Sequence, residues 1–247
     1  MQKSTVDCSF LNGECQEGLC NPQNGVCGPS FINFPLSTFC ETDDNDCTVQ
    51  HCNGQGNCVI NPQAEIPKEC EGEVIKDSKV SQSLPTSNFG LGRYMLVNPK
   101  QGAIDNSYLR IDVTPLLGKT VNSADLKVAV YQTGGNATGS AIQAFYCRDH
   151  DFVETTLNWN NQPINSNCSL ADSFVVPNEV VSGIPETIHV FDLLNETNFE
   201  LSNGDGLYTI VLKSAEENKG ITHNKKYVQY LTKEYPDADF RPKLDLS

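Results

Sequence analysis

Ser107-Tyr108-Leu109-Arg110-Ile111-Asp112-Val113 and, a short step on, Leu126-Lys127-Val128-Ala129-Val130-Tyr131 decide how this chain folds. Leu109, Ile111 and Val113 alternate with Tyr108, Arg110 and Asp112, and Leu126, Val128 and Val130 alternate with Lys127 and Tyr131. Successive side chains of a strand point to opposite faces, so a period of two describes half-buried strands. Further strand candidates are 94–97, 141–147, 173–177, 187–191, 207–213, 227–232 and 242–246, separated by clusters of Gly, Asn, Pro and Ser. Such a succession of strands in residues 73–247, with no amphipathic helix among them, predicts an all-β fold, an antiparallel β-sandwich of the jelly-roll kind.

Ahead of this domain the composition changes. Residues 1–72 hold nine of the eleven cysteines, ten acids against two bases, and four Phe as their only aromatics. A stretch so poor in apolar surface cannot offset its chain entropy with a core, so cross-links must do so. The region is therefore expected to be disulfide-rich, with little regular secondary structure. Its cysteines repeat: Cys8, Cys15, Cys20 and Cys27 recur as Cys40, Cys47, Cys52 and Cys58, a period of about 32 residues. Two units result, 8–39 and 40–69, and Cys70 either begins a third or links outward. Asn21-Pro22-Gln23-Asn24-Gly25 and Asn53-Gly54-Gln55-Gly56-Asn57 supply the tight reversals that a short disulfide needs. With Cys147 and Cys168 expected to pair in the larger domain, eight of the nine others close within their units. Cys70 is then the odd one, an intermolecular link, a free thiol, or half of a bridge to a longer array. Zinc is the rival for these cysteines, with His51 beside Cys52, but the spacings fit poorly and an oxidising compartment disfavours it.

The second unit, DNDCTVQHCNGQGNCV, resembles the short cysteine-rich repeats of slime-mould extracellular-matrix and spore-coat proteins through Cys47, Thr48, Cys52, Asn53, Gly56 and Cys58; unit one departs from them at Gln16. A second resemblance spans residues 74–247. Asn88-Phe89-Gly90, the run 107–113, Ser123-Ala124-Asp125-Leu126-Lys127-Val128, ETTLNWNNQP at 154–163 and Arg241-Pro242-Lys243-Leu244 resemble, in order, the blocks of the DNRLRE-type domain. That resemblance implies a jelly roll of secreted proteins, also treated as a carbohydrate-binding module. Ile111-Asp112-Val113-Thr114 stands where the family has Phe-Asp-Leu-Ser, and Phe152 where it often has Trp.

With 31 acidic against 17 basic residues the net charge is −14, which repels phosphate backbones and argues against a nucleic-acid reader or an anionic-membrane binder. No apolar run is long enough to span a bilayer. Met1-Gln2-Lys3-Ser4-Thr5-Val6-Asp7 lacks the apolar stretch of a signal peptide, so a signal has been removed or the chain is a piece of a longer one. Cysteine content and the sequons at Asn136, Asn167 and Asn195 point to secretion and N-glycosylation.

Catalytic sets are not legible. His51, His150, His189 and His223 lie apart without zinc-hydrolase spacing, and no nucleophile elbow or phosphate loop is present. Cys147 with His150 nearby suggests a thiol nucleophile only until Cys168 is recognised as its disulfide partner. Trp159 invites sugar stacking, though a lone Trp in a sheet domain is more often core. Better ligand-binding candidates are Arg93 and Tyr94 on one side, and Lys225, Lys226, Tyr227 and Tyr230, with Lys233 and Tyr235, on the other. Those lysines suit an acidic polysaccharide, though a charged edge strand is the favoured reading. No cofactor is expected. Asp43-Asp44-Asn45-Asp46 and Asn203-Gly204-Asp205-Gly206 lack EF-hand spacing, which leaves a structural calcium open but unassigned. The expectation is a secreted, non-enzymatic glycoprotein of a matrix, coat or wall whose jelly roll binds polysaccharide or glycoprotein glycans. The alternative is a structural subunit joined to other copies of itself through the Cys-rich region.

Overall fold

The computed structural model describes residues 7–21, 23–24, 26–30, 38–40, 50–60, 72–148, 151–163, 168–177, 182–222 and 226–247. The chain divides into two compact units, 1–70 and 71–247.

In the first unit, β1 (Glu17–Cys20) and β2 (Cys27–Ser30) form a hairpin, and β3 (Phe39–Cys40), β4 (Gln50–Cys52) and β5 (Cys58–Ile60) form a small antiparallel sheet. The β4–β5 reversal is built by Asn53, whose side-chain oxygen accepts from the N–H groups of Gln55 and Asn57, and by Gly54 and Gly56 at φ of 73° and 89°. Disulfides join Cys8 to Cys27, Cys15 to Cys52 and Cys40 to Cys58. This corrects the expected closure within units: Cys15–Cys52 ties one repeat to the other, and Cys20, expected in a disulfide, is a free, half-buried thiol. The hairpin register explains the choice. Cys20 lies directly across from Cys27, and Cys52 from Cys58. Directly opposed strand residues hold their Cβ atoms about 4.5–5.5 Å apart, wider than the ~3.8 Å a disulfide prefers, so Cys27, Cys52 and Cys58 bond instead to cysteines from a third segment. Cys15, Cys40, Cys52 and Cys58 pack together as a sulfur core in place of an apolar one. Cys47 and Cys70 lie outside the described residues.

The second unit is an antiparallel β-sandwich. Its strands are β6 (Glu73–Ser81), β7 (Tyr94–Val97), β8 (Asp105–Asp112), β9 (Ala124–Thr133), β10 (Ala141–Cys147), β11 (Ser169–Val175), β12 (Ser182–Asp192), β13 (Leu207–Ser214), β14 (Val228–Leu231) and β15 (Lys243–Leu246), with one helix, α1 (Leu194–Asn203). Sheet I runs β11-β10-β13-β8-β6; sheet II runs β12-β9-β14-β7, with β15 also on β9. The pairings nest. β7 pairs with β14, β8 with β13, β9 with β12 and β10 with β11, so eight strands make one long hairpin whose successive pairs lie in alternate sheets. The β9–β14 and β10–β13 pairings close the two sheets. This is jelly-roll topology.

Between the sheets lie Met95, Val97, Leu109, Ile111, Leu126, Val128, Ile142, Ile210, Leu212 and Phe191, each at most 1% exposed. Residues 107–111 of β8 are buried on both faces, not half-buried. The reason is a loop, 151–163, that covers the outer face of sheet I: Tyr108, Val211 and Val80 pack there against Phe152 and Leu157, with Trp159 partly buried beside them. Cys147–Cys168 closes the base of this loop. The sequence motifs of the family resemblance are largely its fastenings. Asn88 donates from Nδ2 to the Glu154 and Leu157 carbonyls at 2.7 and 2.9 Å, and the Tyr108 hydroxyl donates to Gln162 at 2.9 Å.

Two elements depart from the expectation. β6 was not foreseen, because Lys76, Asp77 and Lys79 interrupt its apolar pattern. α1 was not foreseen because its buried residues, Thr197, Glu200 and Leu201, are mostly polar. Burial is made tolerable by a 2.8 Å hydrogen bond between the Thr197 and Tyr208 hydroxyls and by the Tyr146 hydroxyl donating to Glu200.

Candidate functional site

Loop 151–163 covers the outer face of sheet I over β6, β8 and β13, and the outer face of sheet II offers a surface with no such cover among the described residues. Across β7, β14 and β9, Leu96, Gln229 and Gln132 stand in one row. The register then slips: Gln229 faces Gln132 but Tyr230 faces Val130. Tyr131 is the extra residue of this β-bulge, and a bulge re-aims side chains. Its ring comes to 4.4 Å from that of Tyr94, centroid to centroid, on the outer side of the sheet. Hydrogen bonding to Tyr131 holds the Tyr94 phenol above its ordinary pKa. Beside the pair runs a groove of about 250 Å³ lined by Leu96, Asn98, Gln132, Tyr227 and Gln229. Such a surface, aromatic rings flanked by amides, offers apolar packing to a sugar ring and hydrogen bonds to its hydroxyls.

The structure brings together some of the residues singled out in the sequence and separates others. Tyr94 and Tyr227 are on this face, and Arg93 is exposed next to Tyr94. Tyr230 is not: it is wholly buried, 2.9 Å from His189 Nδ1, because its neighbour Gln229 takes the outward position and a strand alternates. Lys226 is paired with Glu216 at 2.8 Å, and Lys233 with Glu154 at 3.1 Å and Glu234 at 2.5 Å, so these cations are already committed to carboxylates. Lys225 lies outside the described residues. Tyr131, Gln132 and Gln229 were missed as ligand candidates; alternation puts Tyr131 on the outer face, but the bulge that turns Gln132 to the same face leaves no mark in the sequence.

A second cavity, about 230 Å³, is lined by Asp151, Phe152, Val153, Thr156, Leu157, Asn161 and Pro163. Its polar groups are already engaged: Asn161 donates to the Thr156 carbonyl and accepts from the Asn158 N–H, and Asp151 accepts from Lys76 of β6. Cys147 is consumed by its disulfide. Of the sequons, Asn136 is exposed in the turn after β9 and Asn195 is exposed on α1, while Asn167 lies outside the described residues, as do Asp43 to Asp46.

Two buried titratable groups set opposite pH responses. Burial pushes His189, stacked on Phe174, down to about 4. The unfolded chain takes up this proton near 6.5, so the group removes stability as pH falls from about 6.5 to about 4. Burial raises Asp77 to about 8, and that contribution is full below 3.8 and lost as pH rises through about 8. An NMR titration is expected to find the His189 ring neutral at pH 6 with a midpoint near 4; a midpoint near 6.5 would show that the ring is solvated.

Fold and surface together define a class, a jelly-roll β-sandwich module with an open, aromatic sheet face. Residues 70–231 match the model of carbohydrate-binding module family 96, and the chain belongs to that family. Carbohydrate-binding modules are non-catalytic in general. Among curated proteins the chain has no match. The four disulfides of the described residues and the family together mark an extracellular protein, and no helix among those residues is long and apolar enough to cross a membrane.

Proposed function

We propose that this is a secreted, non-enzymatic matrix, coat or wall glycoprotein whose jelly roll binds a polysaccharide on the outer face of sheet II. The observation that carries the site is the Tyr94–Tyr131 pair, set on the bulge beside a groove edged by the Gln132 and Gln229 amides. Binding is by stacking and neutral hydrogen bonds. The net charge of −14 and the pairing of Lys226 and Lys233 with carboxylates disfavour recognition by charge.

Affinity electrophoresis of the whole chain in gels containing soluble polysaccharides, neutral and anionic, tests this. At least one neutral polysaccharide should retard the wild type, with little dependence on salt. Tyr94→Ala and Tyr131→Ala should each weaken that binding by about tenfold to a hundredfold, the scale of losing a stacked aromatic contact. Retardation that both variants retain, or that salt abolishes, would place the site elsewhere.

A further inference from the structure

We propose that Asp77, Glu154 and Glu234 form a binding site for a calcium ion at the edge of the sandwich. These residues come from three separate segments: Asp77 from β6, Glu154 from the loop over sheet I, and Glu234 from the chain just beyond β14. One carboxylate oxygen of each lies within 4.8 Å of the other two. Calcium–oxygen bonds of 2.3–2.6 Å place oxygens on opposite sides of one ion about that far apart.

The hydrogen bonds at the cluster leave room for an ion. Asp77 Oδ2 accepts from the Lys233 backbone N–H at 2.6 Å, and Glu154 Oε1 accepts from the Asp77 backbone N–H at 2.8 Å. The Lys233 ammonium takes Glu154 Oε2 at 3.1 Å and Glu234 Oε1 at 2.5 Å. Two oxygens remain. Asp77 Oδ1 and Glu234 Oε2 are buried without a hydrogen-bond partner, and Asp77 as a whole is 0% exposed. A buried carboxylate oxygen left unpaired is costly, and a cation is the partner that relieves it best.

Charge and chemistry select the ion. With Asp77 ionised as a ligand, three carboxylates against one ammonium leave a surplus of two negative charges, which a divalent cation neutralises. The donors are all hard oxygens drawn from an irregular constellation, which suits calcium; magnesium demands near-octahedral geometry at shorter distances. Lys233, with its side chain 28% exposed, has solvent into which its ammonium can lean as the ion enters. A bound ion would cross-link β6, loop 151–163 and the end of β14. This proposal does not rest on glycan binding.

The test is thermal melting of the whole chain, first stripped with EDTA, in millimolar calcium chloride and in EDTA. Calcium is expected to raise the wild-type midpoint by about 5–10 °C, the scale of saturating a site at ~100 times its dissociation constant. Asp77→Asn and the less buried Glu234→Gln should each lose most of that shift. In EDTA both should melt close to wild type, because Asp77→Asn is isosteric with the uncharged acid and Glu234→Gln keeps an amide oxygen for Lys233. A wild type with the same midpoint in calcium and EDTA overturns the proposal. So do variants that keep the calcium shift, which would put the ion elsewhere.

Discussion

Gly90→Ala is expected to lower the thermal midpoint of the jelly roll by roughly 6–12 °C, through a loss of about 3 kcal/mol. A Cβ built on Gly90 falls 2.1 Å from the Glu154 carbonyl oxygen and 2.7 Å from its carbon. Those are backbone atoms, so no side-chain rotation relieves the overlap. Asn88, two residues earlier, donates to that same carbonyl. The substitution therefore lifts loop 151–163 from its seat and uncovers Tyr108 and Val211. Gly135→Ala is the control, since a Cβ there meets nothing within 4 Å. Melting followed by circular dichroism checks the pair; a Gly90→Ala protein that melts with Gly135→Ala would show that the loop is not seated on this residue.

Replacing both Cys147 and Cys168 by serine acts on the same loop from its other end. The bridge spans a sequence separation of 21. Removing such a closure costs about 3 kcal/mol on the chain-entropy argument, again roughly 6–12 °C in midpoint for a domain of this size. The two lesions share a target: once the loop has lifted, its covalent tether matters less. Combined with Gly90→Ala, the cysteine double variant should therefore fall short of the summed losses. Additive losses in the melts would mean that bridge and glycine support separate structures.

The alternation at 109–113 and 126–130 located two strands because Leu109, Ile111, Leu126 and Val128 face the other sheet. It also suggested that Tyr108 and Arg110 face solvent, which is wrong, since periodicity cannot register a loop from forty residues away settling on the outer face. β6 escaped notice for a related reason: its bulge between Val74 and Lys76 breaks the period, and Lys76 is satisfied by Asp151 of that loop at 2.7 Å. α1 buries hydroxyls and a carboxylate where an amphipathic stripe would be sought.

At the site, Tyr94 and Tyr227 were legible as aromatics near cations. Parity could have excluded Tyr230. It is three residues from Tyr227, an odd number, and a regular strand cannot show both on one face. Tyr131 was legible as an outward residue through its alternation with Val128 and Val130, but its place beside Tyr94 depends on a bulge fixed by pairing with β14. In the first unit the spacing revealed the repeat but not the bonding. Cys15–Cys52 depends on how the repeats meet, and a period carries no information on that.

Hydrogen-exchange mass spectrometry of the whole chain, with and without the polysaccharide that retards it most, tests the binding face most directly. Slowed exchange is predicted in 94–97, 130–133 and 227–231, the strands that carry the Tyr94–Tyr131 pair and its groove, with loop 151–163 unchanged. Protection confined to 151–163 would contradict the assignment and move the glycan to the opposite sheet.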